Sequence, residues 1–456
     1  MKSFRLLPSP APRLLFSFFL ASSSLSPLAS RLSAGVADTA VHQSIAGIDC
    51  VLLKTGVQDV VTIRGTIPAG DARSPENNPA IAELTGSMLD KGTTSHDKFA
   101  IAQLLGDVGA NVSFSVSNNA LQIAAKCLRK DLPLVVSLLA EQLRSPAFSP
   151  DEFAKLKTQL AGRVKQALES TDFRAADSFT RAVYPVGHSN RDASPDEILA
   201  GAGKATLEEV KAFYAKYYGP AAMRLVIVGD VDPAAAQNEI AKAFAGWTGG
   251  SPAPKPAPAG GVDAPREQTV LMPDKTNVSV VWGQPTRLRY GDPDTLALRL
   301  GTAILGSGFT GRLMASVRDK EGLTYNIGSY VSQDTFVDGD WRIEADFAPA
   351  LLDQGLASTK RELLAWHDQG VTDAELARAK GDFVGSYKVG LATTEGMATV
   401  ILNTLNRDLP LSFIDNFGNK VNALTKDQVN RAIKTHLDPS AMVVIKAGTI
   451  LGAPAK

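Results

Sequence analysis

Five histidines are the natural starting point for metal or acid–base chemistry in this chain: His42, His96, His188, His367 and His436. The closest two stand 54 residues apart, so no helix carries two imidazoles on one face and the spacing gives no support to a zinc site. Cys50 and Cys127 are too few and too distant for a zinc knuckle or a Cys-x-x-Cys redox site. Both sit in strand-like runs (48–53 and 121–128). Buried free thiols are the simplest reading, with one disulfide open to the chain in an oxidising compartment. No Gly-x-Ser-x-Gly elbow is present, and no phosphate loop ending in Gly-Lys-Ser/Thr. Gly306-Ser307-Gly308-Phe309-Thr310-Gly311 fits the dinucleotide fingerprint Gly-x-Gly-x-x-Gly on paper, but that fingerprint works only after a strand and at the opening of a helix. Here Asp292-Pro293-Asp294, followed by Leu296, Leu298, Leu300, Ile304 and Leu305, predicts a helix that ends at Gly306. The nucleotide reading is rejected.

The elements that must position any site belong to a chain of 456 residues, too long for one ordinary core and expected to form two or more domains. Hydrophobic content of 44% and charged content of 21% are those of a soluble globular protein. Lys plus Arg and Asp plus Glu both count 47, which argues against nucleic acid or an acidic membrane surface as a partner. Lys2, Arg5 and Arg13 precede the apolar run Leu14 to Ala21, and small residues follow through Ala29, Ala34 and Ala37. That is the order of a secretory signal, cleaved between about residues 29 and 37, with an uncleaved amphipathic anchor as the alternative. The run is shorter than the ~18–20 apolar residues of a membrane span. The expectation is an exported, soluble protein of the bacterial periplasm.

Gly249 to Gly261 carries prolines at 252, 254, 256 and 258 and predicts an extended, semi-rigid spacer. The parts on either side resemble each other. Glu152-Phe153-Ala154-Lys155-Leu156-Lys157 recurs as Glu375-Leu376-Ala377-Arg378-Ala379-Lys380, 223 positions later, and Thr206-Leu207-Glu208-Glu209-Val210 as Thr425-Lys426-Asp427-Gln428-Val429, 219 positions later. Each half closes on a buried-strand run, 225–229 and 442–445. Residues 57–67 and 112–124 read as strands, Ser149-Pro150-Asp151 opens a long helix to about Ser170, and Asn78-Pro79 opens another through Thr93. Strands and helices mix without βαβ alternation, so the class is α+β.

Arg312-Leu313-Met314-Ala315-Ser316-Val317-Arg318-Asp319-Lys320-Glu321-Gly322-Leu323-Thr324-Tyr325 resembles the C-terminal-half signature of the pitrilysin/insulinase-like zinc peptidases, which include the processing peptidases. The duplication, the linker and the glycine loop extend the likeness over nearly the whole chain. The resemblance implies two homologous α/β sandwich domains forming half of a clamshell: residues 1–37 as signal and start of the mature chain, 42–248 as the N-terminal domain, 249–262 as linker and 263–452 as the C-terminal domain. It also implies that Arg318 and Tyr325 reach into an active site as donors that orient a peptide carbonyl and stabilise the transition state. Gly322 is a plausible left-handed stop, placing Arg318 in the last turn of a short helix and Tyr325 at the start of a strand.

The family's metal motif, His-x-x-Glu-His, is expected in the helix opened by Asn78-Pro79. The tail Met88-Leu89-Asp90-Lys91-Gly92-Thr93 fixes the register and puts Glu83, Gly86 and Ser87 at the motif positions, with the later ligand near Gly162 or Arg163. One carboxylate and a hydroxyl make a poor zinc site, and the general base is missing. The expectation is therefore a non-catalytic subunit that binds no metal. Its partner would be a homologous subunit carrying His-x-x-Glu-His and zinc, and its substrates peptides. The alternative is a scaffold or peptide-binding member without a role in catalysis.

Overall fold

The structure, a computed structural model, describes residues 35–252 and 267–452. The expected signal segment before Gly35 and the proline-rich stretch 253–266 lie outside the described residues. The first half contributes β1 (Val41–Ile45), β2 (Ile48–Lys54), β3 (Val60–Ile67), β4 (Asn111–Val116), β5 (Leu121–Leu128) and β6 (Arg224–Gly229), in the sheet order β1-β2-β6-β3-β5-β4. The second contributes β7 (Glu267–Leu271), β8 (Val278–Pro285), β9 (Thr324–Ser332), β10 (Asp340–Phe347) and β11 (Val443–Gly448), in the order β7-β11-β8-β10-β9. Apart from β1, the two orders correspond strand for strand. Each sheet has one parallel pair, β2 with β6 and β7 with β11, and its other pairs are antiparallel. The internal repeat is thus a repeat of topology, and the fold is α+β.

The helices repeat as well. Helices Leu207–Tyr217 and Lys426–His436 precede the last strand of their sheets, and both open on a capping box, Thr206 with Glu209 and Thr425 with Gln428. The sequence echo at an offset of 219 is therefore the shared N-terminus of equivalent helices, where side chains satisfy orphan N–H groups. Helix Pro150–Ala167 matches helix Asp373–Leu391, and Ser149 caps the former by accepting from the Glu152 N–H.

Three expectations are corrected. Residues 112–124 form a hairpin, β4 and β5, because Ser117 and Ala120 close a turn with a 2.9 Å backbone bond. The strand expected from Val57 begins at Val60, after Asp59 takes a left-handed φ of 59°. The helix expected from Asn78 to Thr93 covers only Ile81–Met88. Its N-cap is Ala80, Asn78 accepts the Ala80 N–H at 3.3 Å, and Gly92 turns the chain away at φ 108°. Cys50 and Cys127 are buried and unpaired. β6 and β3 separate their strands, which at a spacing of about 4.8 Å places them well beyond disulfide reach.

The central strands β2, β3, β6 and β8 bury both faces, which is why they are near-continuous apolar runs, whereas β4 and β5 alternate. On one face lie the helices of the same half. On the other lies a helix from the opposite half. Helix Thr171–Val183 sets Ala175, Phe179 and Val183 against Val281, Val443, Ile445 and Ala447 of the second sheet. Helix Thr394–Asn406 sets Ala398, Ile401, Leu402 and Leu405 against Val51, Leu53, Val226 and Val228 of the first. Polar groups fix both crossings. Thr62 and Thr394 hydroxyls meet at 2.9 Å, and the Thr66 hydroxyl donates to Asn406 at 3.0 Å. At the other crossing, the Tyr184 hydroxyl donates to Asp340 at 2.8 Å, Asp340 pairs with buried Arg342, and the Arg342 guanidinium lies 4.8 Å over the Phe179 ring.

Phe179 is fully buried, so Phe179→Ala should lower stability by about 3–5 kcal/mol through lost transfer energy and a cavity. Denaturant unfolding should show this, with earlier hydrogen exchange in β8 and β11. The same seam carries a pH dependence. Burial, with repulsion from Asp172 and Asp346, pushes the Glu344 carboxyl up to about 7, although Arg342 Nη1 stands 3.4 Å from it. The folded chain therefore keeps a proton that the unfolded chain releases near about 4.3. Between those values the native state binds more protons, so stability falls as pH rises, until the slope ends near 7. Glu344→Gln should remove part of the drop in Tm between pH 5 and pH 8.

Candidate functional site

In the first half, helix 81–88 turns Ile81, Ala82, Leu84, Thr85, Gly86 and Met88 inward, leaving Glu83 and Ser87 one turn apart on its open face. The Ser87 hydroxyl donates to Glu83 Oε1 at 3.3 Å. Helix 150–167 buries Phe153, Leu156, Leu160 and Val164. Arg163, beside that stripe, reaches Glu83 Oε1 with Nη2 at 2.5 Å. Residues 83, 86, 87 and 163 line a pocket of about 390 Å³, together with Phe114, Ser115 and Val116 of the edge strand β4. At the base of the helix, burial and the neighbouring charges of Glu83 and Asp192 push the Asp71 carboxyl up to about 7.

These residues do not fit zinc. At positions 83, 86 and 87 the one carboxylate, Glu83, is already neutralised by the Arg163 guanidinium. Gly86 offers no room for a general base, since a Cβ there would lie 2.4 Å from Val116 Cγ2. Among the described residues no group of three or more His, Cys, Asp or Glu could hold a metal ion.

In the second half, Leu313 leads into a π-helical turn, Met314–Lys320, with Arg318 near its end and Gly322 stopping it at φ 65°. Arg318 therefore lies in the final turn and Tyr325 at the second residue of β9, as the spacing predicts, although the turn is π rather than α. Along β9, Ile327, Ser329 and Val331 face inward, and simple alternation would bury Tyr325 with them. It is 82% exposed instead. Thr324 pairs with Phe347 and Ile327 with Ala345, so Tyr325 and Asn326 stand opposite the single residue Asp346. This is a β-bulge, a device that re-aims a side chain. The Thr324 hydroxyl holds it by donating to the Asp346 carbonyl at 2.5 Å.

The Arg318 Cζ lies 4.8 Å over the Tyr325 ring and 5.2 Å over the Phe309 ring. Its ion-pair contact is a long one, 3.9 Å from Nε to Asp319. The structure thus brings Arg318 and Tyr325 together. It does not join them to Glu83, Gly86 and Ser87, whose pocket is lined wholly by first-half residues. Sequence reasoning passed over Phe309, which stood only as an unspecified position in a rejected nucleotide motif.

Residues 50–191 match the sequence model of the insulinase family, peptidase family M16, and residues 204–382 match that of the M16 peptidase inactive domain. The chain belongs to the M16 peptidase family. Among relatives of this M16 chain, the non-peptidase homolog YmxG of Helicobacter pylori is 23% identical over 377 residues, covering 81% of this chain and 84% of that one. The crystal structure of an M16 inactive domain from Pseudomonas fluorescens has the same fold, with a TM-score of 0.84 and 24% identity over 92% of this chain and 100% of that one. The periplasmic protease PqqL of Escherichia coli shares it at a TM-score of 0.72 and 15% identity, over 95% of this chain and 49% of PqqL, so this chain spans about half of that protein.

Restoring the three motif residues alone, Glu83→His with Gly86→Glu and Ser87→His, should give no stoichiometric zinc by elemental analysis. Arg163 would remain where the third ligand belongs, and Val116 would oppose the new carboxylate. One tightly held zinc per chain in the unaltered protein would overturn the register, and one in that variant would show that Arg163 does not block the third position.

Proposed function

We propose that this M16 member is the non-catalytic subunit of a two-subunit zinc peptidase, lending Arg318 and Tyr325 to a metal site on a homologous partner that carries His-x-x-Glu-His. The observation that carries this reading is the exposed pair itself. A guanidinium with one long ion-pair contact lies over a phenol ring that a bulge has turned outward. Both groups are hydrogen-bond donors at neutral pH, suited to a peptide carbonyl and to the oxyanion it becomes. The absence of a fitting metal set at residues 83–87 supports supply of the zinc by the partner. The segment up to a cleavage point between about residues 29 and 37 acts as an export signal in this reading, and the assembly works in the periplasm on peptides or unfolded segments.

Arg318→Ala and Tyr325→Phe should assemble with the zinc-bearing subunit as the wild type does and leave its zinc content unchanged. Turnover should fall about a hundredfold or more, since each change removes one donor to the developing charge. Steady-state peptide cleavage, with gel filtration for assembly, checks this. Wild-type turnover by both variants would make the pair structural and the chain a scaffold subunit.

A further inference from the structure

We infer that Phe309 is a positioning residue for Arg318, holding the guanidinium in place from the tip of the glycine loop. The inference rests on the substrate role proposed above for that guanidinium. Phe309 is 72% exposed, so core burial does not account for it, and its ring lies under the Arg318 Cζ. The loop is built to bring it there. A Cβ on Gly306 would lie 2.4 Å from the Ser329 backbone N, so this residue must be glycine to sit against β9. Gly308 takes a left-handed φ of 61°, and a Cβ on Gly311 would meet the Gly306 backbone at 3.0 Å. Arg378 then ties the loop to helix 373–391 by donating to the Thr310 carbonyl at 2.9 Å. The Gly-x-Gly-x-x-Gly pattern thus has a physical cause unrelated to nucleotides: close approach to β9 and a tight return.

The choice of an aromatic residue also follows. A carboxylate at the tip would order the guanidinium but occupy its N–H donors. A ring face attracts the cation through its quadrupole and leaves the in-plane donors free for a carbonyl. With Tyr325 as a second ring, Arg318 is held by two contacts that use none of its donors.

The test uses the chain by itself, with 15N-labelled arginine and NMR relaxation at the Arg318 Nε. In Phe309→Ala and Phe309→Leu the order parameter should fall below about 0.6, the range of flexible groups, while Phe309→Trp should keep the wild-type value. Leucine tests bulk without a π face, and an unchanged order parameter in the alanine variant overturns the inference. This readout does not depend on activity, so it stands apart from a failure of the subunit reading. In the assembled peptidase, Phe309→Ala should lower kcat roughly tenfold or more with KM unchanged and add nothing to Arg318→Ala. A loss that adds to that of Arg318→Ala would mean that Phe309 touches substrate on its own account, and the positioning role would fail.

Discussion

The exchange of helices 171–183 and 394–406 between the two sheets is the constraint on which the rest of this molecule depends. A sheet of five or six strands with helices on one face leaves the other apolar face open to water, and here each half closes the face of the other. The result is reciprocal burial rather than a flat contact between finished domains, so neither sheet is complete without the opposite half. The cost is that polar groups from the first half are buried against the second. Most are satisfied, as with Tyr184, Asp340 and Arg342, but the carboxyls of Asp172, Glu344 and Asp346 are crowded together. A seam of this kind fixes the relation of the halves at the expense of electrostatic strain.

Within that frame the two candidate sites have diverged from a shared topology. Helices 81–88 and 295–306 hold equivalent places, each following the second strand of its repeat. In the first half, the open face of the helix carries an acid that a guanidinium from helix 150–167 neutralises. A fixed cation from the chain thus engages the acid on that face. Glu83 is 27% and Arg163 55% exposed at the side chain, so this pair contributes little to stability by itself. Its consequence is chemical, since it leaves neither a ligand set nor space for a general base.

The second half reaches its arrangement through three departures from regular backbone: a π turn under Arg318, a bulge at Tyr325 and the glycine loop under Phe309. Each gives up regular pairing or ordinary dihedral angles, and such features persist only where the surrounding structure enforces them. Their convergence on one cation and two exposed rings is hard to attribute to packing, because none of the three side chains is buried.

By itself the sequence determined the α+β class, the internal repeat, the helix stop at Gly322 and the absence of histidine at positions 83 and 87. These follow from local chemistry: capping residues, apolar runs, glycine at a left-handed turn, and the residue types themselves. The hairpin within residues 112–124 was missed because its turn, Ser117 to Ala120, interrupts the alternation too briefly to break the pattern. The tertiary structure alone decided that Arg163 neutralises Glu83, that a bulge turns Tyr325 outward, and that Phe309 lies over Arg318. It alone decided that each sheet is closed by the other half's helix. All four depend on residues brought together across long stretches of chain or on a backbone irregularity set by a neighbouring strand. A periodicity read along one segment carries no information about either, because the energy that selects them arises only when the segments pack.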